Sequence, residues 1–157
     1  MRLEYFQLID RIIDLDLNDL TIRVAANVPT ESTIFEGHFP GRPLMPGVLL
    51  VESMAQTSGW LIIARTRFKK MPFLAALKEA KLRTFVTPGQ ALVVTARLAH
   101  EGSGFAVTEA AIEIDGRRIS NADITFRVVD FPEGEFINHM HAVAKRIGLP
   151  VEATAHG

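Results

Sequence analysis

His38 and Glu52 stand fourteen positions apart in the stretch FEGHFPGRPLMPGVLLVESMAQ, which runs from Phe35 to Gln56. An imidazole titrates near neutrality and can take a proton. A carboxyl group surrounded by apolar residues has its neutral form favoured by desolvation, which suits a proton donor. Between the two, Pro46 and Gly47 open a long apolar run. A helix starting there leaves free backbone N–H groups at Gly47, where they can polarise a carbonyl. The three elements together fit removal of a proton beside a carbonyl with departure of a hydroxyl, a reaction that requires no metal and no cofactor. Each has a plainer reading when taken alone. Glu52 could pair with an arginine or reach solvent, and His38 could be an ordinary hydrogen-bonded histidine.

Positioning these groups requires a scaffold, and the pattern around them supplies one. VLLVESMAQTSGWLIIA, from Val48, reads as a helix from about Pro46 to about Arg67, with Pro46 in the first turn and the cations of RTRFKKMP at the far end. It falls short of the ~20 mostly apolar residues of a membrane span and carries Glu52 and Gln56, so no membrane insertion is expected. Apolar residues on nearly all its faces mean that protein surrounds it. YFQLIDRIIDL and LTIRVAANV read as strands joined at Asn18-Asp19. ALVVTARLA, VTEAAIEI and ADITFRVV alternate in the manner of strands, with Asp115-Gly116 as a hairpin turn and Pro88-Gly89 turning the chain before Leu92. The expected fold is α+β: an antiparallel sheet with one long helix inserted after its second strand and wrapped by the curved sheet. From about residue 132 a further helix, GEFINHMHAVAKRIGL, is expected as a C-terminal extension of a single domain spanning 1–157, with PVEATAHG an irregular end.

Composition narrows the chemistry. The chain has 157 residues, a formal net charge of −1 and no cysteine, which excludes disulfides and thiolate chemistry and gives no overall electrostatic reason to bind nucleic acid. The acids of MRLEYFQLIDRIIDLD interrupt what a signal peptide needs to be apolar, so the expected location is cytoplasmic. His139 and His141 lie two apart, so a helix points them to different sides; they are expected to be surface histidines rather than metal ligands. Trp60 and the phenylalanines read as core, some of them lining whatever channel admits a substrate.

The stretch from Phe35 to Gln56 closely resembles the signature of bacterial 3-hydroxyacyl-acyl-carrier-protein dehydratases of the FabZ type, in the hot-dog fold superfamily. The likeness extends more weakly through KLRTFVTPGQAL and covers roughly residues 5 to 130. It implies a curved sheet around one central helix and formation of a trans-2-enoyl thioester from a (3R)-3-hydroxyacyl chain on acyl carrier protein. It implies His38 as the base at C2, Glu52 as the acid at the C3 hydroxyl and the Gly47 amide as donor to the thioester carbonyl. Phe39, Val48 and Gln56 would join Gly47 in binding substrate, with Gln56 orienting the acid–base pair. Family members are dimers whose histidine and acid in one site come from different subunits, so a homodimer or an oligomer of dimers is expected. The resemblance implies a place in fatty acid biosynthesis, whose acyl carrier proteins are acidic, and Arg65, Lys69, Lys70, Lys81 and Arg83 are the candidate docking cations. The N-terminal PHR.P.L motif usual in the family is absent, and two single-residue departures stand out, Leu82 for the family's phenylalanine and Gln90 for its aspartate. A hot-dog thioesterase, which has no need of the histidine, and a noncatalytic acyl-binding subunit are the alternatives.

Overall fold

A computed structural model describes residues 1–150 and Ala153. Six strands form one antiparallel sheet: β1 (Arg11–Asp16), β2 (Thr21–Asn27), β3 (Lys70–Leu82), β4 (Ala91–Gly102), β5 (Phe105–Ile114) and β6 (Arg117–Asp130). Their spatial order is β1-β2-β4-β5-β6-β3, so β1 and β3 are the two edges. The connections follow from local chemistry. Asp115 and Gly116 both adopt positive φ, as a tight hairpin requires, and Asp16 accepts hydrogen bonds from the N–H groups of Asn18 and Asp19 to turn β1 into β2.

A one-turn helix, α1 (Thr33–Gly37), leads into the long α2 (Gly47–Arg65), which enters the chain between β2 and β3 as expected. The inward side chains of the strands, among them Ile22, Val24, Leu92, Val94, Ile112 and Ile124, are buried with Met54, Leu61 and Ile63 of α2 in one core. Burial of this apolar surface supplies the main stabilisation, roughly 25 cal/mol per Å² removed from water. By length and composition α2 could cross a bilayer, but 72% of its apolar eighteen-residue window is buried inside the protein. The hydroxyls this brings into the core are satisfied: Ser53 donates to the Leu8 carbonyl, Thr57 to the Ser53 carbonyl, and Thr108 to Ser58.

Two expectations need correction. The first strand does not begin at Tyr5: residues Leu3–Tyr5 form a 3-10 turn, Phe6 is left-handed, and the strand starts at Arg11. Leu3 and Leu8 are both fully buried although they lie five apart, which a continuous strand would put on opposite faces. The turn reconciles them. FLAALKEAKL lies in β3, a bulged edge strand whose one partner among the described residues is β6. His141 is not a surface histidine; it stacks on buried Phe68 at 4.1 Å, whereas His139 is exposed. That stack belongs to α3 (Glu135–Ile147), anchored in the core by Ala144 and Ile147. The irregular end expected at 150–157 lies, apart from Pro150 and Ala153, outside the described residues.

Candidate active site

His38 is placed by main-chain hydrogen bonds. Ser32 caps α1 through its side chain to the Ile34 N–H, and Glu4 in turn accepts from the Ser32 hydroxyl at 2.5 Å and from the Thr33 N–H at 3.0 Å. The Ser32 hydrogen bond is the chief cause that holds the Glu4 carboxyl below the usual carboxylate range. Buried Phe35 anchors the turn, which ends with His38 donating its backbone N–H to Ile34. The loop then closes on itself, Leu44 N–H to His38 carbonyl at 2.9 Å and a reciprocal pair between Phe39 and Arg42.

The imidazole is oriented as well. His38 Nδ1 lies 2.9 Å from the Leu44 carbonyl oxygen, which can only accept. Nδ1 therefore carries the proton in the neutral ring, and Nε2 keeps its lone pair for a substrate proton.

Around His38 is a cavity of about 680 Å³ that Phe39, Gly47, Leu82, Arg83 and Phe85 also line. Pro46 caps α2 with no side-chain bond, and the N–H groups of Gly47 and Val48 have no acceptor among the described residues. The cavity thus holds a ready base and an unpaired helix-terminal donor. An added Cβ at Gly47 would lie 2.5 Å from Leu82 Cδ1, so a larger residue there requires the Leu82 side chain to shift. Val48, expected among the substrate-binding residues, is 76% exposed and does not line this cavity.

Glu52 lines a different cavity. It is half-buried, one and a half turns into α2, and with Gln56 it lines a space of about 250 Å³ whose other walls are apolar. Gln56 is locked in place: its Nε2 donates to the Phe6 carbonyl at 2.7 Å, and its Oε1 accepts from the Leu8 N–H at 3.3 Å. Those backbone partners fix the amide's orientation. The same Nε2 lies 3.2 Å from Glu52 Oε1, so Gln56 gives a hydrogen bond to one carboxylate oxygen and leaves Oε2 to the cavity. Within a single chain, then, Gly47 and Phe39 join His38 while Gln56 joins Glu52.

The two cavities meet opposite ends of β3. Met71 to Leu74 line the Glu52 side, and Leu82 to Val86 line the His38 side. The candidate docking cations divide in the same way. Arg65, Lys69 and Lys70 precede or begin β3, while Lys81 and Arg83 lie at its other end, about 40 Å away by strand rise before allowance for its bulges. One chain does not gather them into a single patch. Arg65 pairs with Glu101 at 3.6 Å, Lys70 with Asp130 at 2.5 Å, and Arg83 donates to Asn121 at 2.5 Å. Of the two departures, Gln90 holds its turn by accepting from the Thr87 N–H at 2.8 Å, and Leu82 packs against Gly47. No group of three or more acidic or histidine side chains able to hold a metal occurs among the described residues.

Comparison with known proteins finds relatives in sequence and in fold. A FabA-like domain model matches residues 2–123. The 3-hydroxyacyl-acyl-carrier-protein dehydratase FabZ of Streptococcus thermophilus is 36% identical over 122 residues, covering 77% of this chain and 85% of that protein. Its counterpart in Streptococcus equi subsp. zooepidemicus is 40% identical over 120 residues, covering 76% and 84%. Solved structures at lower identity share the fold. A hypothetical thioesterase protein from Streptococcus pneumoniae with coenzyme A has a TM-score of 0.60 at 18% identity, covering 78% of this chain and 88% of that one. The E. coli PaaI protein has a TM-score of 0.60 at 15% identity, covering 75% and 78%. The fold is the hot-dog fold, and the chain belongs to the FabA-like family, among the FabZ-type dehydratases.

Proposed function

We propose that the protein dehydrates (3R)-3-hydroxyacyl chains carried on acyl carrier protein to trans-2-enoyl chains, as a hydro-lyase of fatty acid biosynthesis. His38 Nε2 takes the proton from C2, the Gly47 N–H stabilises negative charge on the thioester oxygen, and Glu52 protonates the C3 hydroxyl, which leaves as water while the C2–C3 double bond forms. The proton on the imidazolium then returns by way of solvent to the Glu52 carboxylate, which resets both groups. The observation that carries this reading is the single cavity shared by an imidazole with its Nδ1 engaged and the unpaired Gly47 N–H.

Completing the site takes a second copy. β3 is an unpaired sheet edge carrying exposed Phe73, Leu74, Leu77 and Leu82, which favours pairing with another strand. An antiparallel pair of β3 strands centred near Ala76, its midpoint, places the Lys70 end of one copy beside the Leu82 end of the other. The Glu52 cavity of one copy then adjoins the His38 cavity of the partner. The same pairing sets Lys69 and Lys70 near the partner's Lys81 and Arg83, a basic rim suited to an acidic carrier protein.

Incubating the protein with 3-hydroxyacyl carrier protein tests the reaction: enoyl product is expected. Free acid and free thiol in its place would establish the thioesterase reading, which the thioesterase in the fold comparison keeps as the runner-up.

A further inference from the structure

α3 lies beyond the residues that the family model matches, yet Met140 forms part of the wall of the Glu52 cavity. The α2 side of that cavity is formed by Glu52, Ala55, Gln56, Gly59, Trp60 and Ile63. These positions recur at helical spacing on one face, and from Glu52 to Ile63 the helix rises about 16 Å. Past Gln56 the lining is apolar. Gly59 adds no side chain to the floor, and even an added Cβ would only reach ordinary contact with Pro72, at 3.5 Å. A space of this shape, polar where the acid stands and apolar along its length, suits an alkyl chain.

The contacts of α3 put Met140 toward the Trp60 end of this face, away from Glu52. Its neighbour His141 stacks on Phe68, which follows the last turn of α2 and lies 6.3 Å from Trp60. Ala144 and Ile147 are almost wholly buried, so α3 holds Met140 from a fixed base. We infer that Met140 is a specificity-determining residue: α3 closes the far end of an acyl groove that begins at Glu52, so a segment outside the matched domain limits acyl length. The inference rests on the dehydratase reading for the identity of the chain that occupies the groove.

The test uses the full-length protein and a series of S-alkyl pantetheine thioethers of increasing chain length, whose binding requires no turnover. Filling the end of the groove with Met140→Trp should lower the affinity for long chains relative to short ones by about tenfold or more, and Met140→Ala should move that ratio the other way. Calorimetric Kd values give the ratio, and thermal melting confirms folding. If Met140→Trp does not fold, the direction of the Met140→Ala shift decides. An unchanged ratio in the folded variants, or a uniform loss across the series, overturns the inference and leaves Met140 a packing residue. Failure of the dehydratase reading shows separately, as absence of enoyl product with the unaltered protein.

Discussion

The two edges of the sheet are built to opposite ends. β1 is six residues long, and three of the six are charged, Arg11, Asp14 and Asp16. β3 is thirteen residues long, and Phe73, Leu74, Leu77 and Leu82 stand exposed along it. Both edges are bulged, but a short edge that is half charged discourages pairing with other chains, whereas a long edge with a row of exposed apolar side chains invites it. Where the cavities lie gives the contrast its meaning. The His38 cavity and the Glu52 cavity both abut β3, at its two ends, and neither is lined by any residue of that edge's counterpart, β1. In our account β3 is therefore where two copies join and where the base and acid meet.

Removing the chemistry on either side of β3 should have the largest effect. His38→Ala and Glu52→Gln are each expected to lower enoyl formation by about 10²- to 10⁴-fold while melting as folded proteins, because each removes one proton-transfer group. Near-wild-type turnover in either would exclude that residue from the mechanism.

Charging the edges separates them more sharply. Leu77→Asp puts a like-charge pair near the two-fold of a β3–β3 dimer and should yield monomer by sedimentation, with activity falling roughly in step with the lost dimer. Ile13→Asp, on the β1 edge, should leave both unchanged. Equal behaviour of the two variants would dissolve the distinction between the edges.

A smaller effect is expected on the acid side alone. Gln56→Ala removes the hydrogen bond to Glu52 and the ties to Phe6 and Leu8, and should reduce kcat by about tenfold with little change in KM. A rise in KM at constant kcat would make Gln56 a substrate contact instead of a positioning residue.

Much of this site was legible in the residues, for local reasons. Pro46-Gly47 before an apolar run marks the start of α2, and fourteen positions of spacing place His38 in the loop before it and Glu52 within it. The Asp115-Gly116 hairpin was equally plain, since few sequences tolerate two consecutive positive φ values. What escaped depends on distant parts of the chain. The break before β1 follows from burial of both Leu3 and Leu8, which alternation along a strand cannot reveal. The capping of α1 by Ser32 was locally readable, but the role of Glu4 in holding it joins residues twenty-eight apart. The Gln56 ties to Phe6 and Leu8 are of the same kind. The cations from Arg65 to Arg83 look like one run in the sequence, and only the extension of β3 separates them.

The central claim is that a working site takes His38 from one chain and Glu52 from another. Mixing the inactive His38→Ala and Glu52→Ala proteins in equal amounts, with unfolding and reassembly to exchange subunits, tests it directly. Random pairing makes about half of the dimers mixed, and each of these holds one site with both lesions and one with neither, so about a quarter of all sites are intact. The account predicts that enoyl formation rises from near zero to at most about a quarter of the wild-type rate. No recovery, after mass spectrometry of intact dimers has verified exchange, would contradict it and place both groups of a site in one chain.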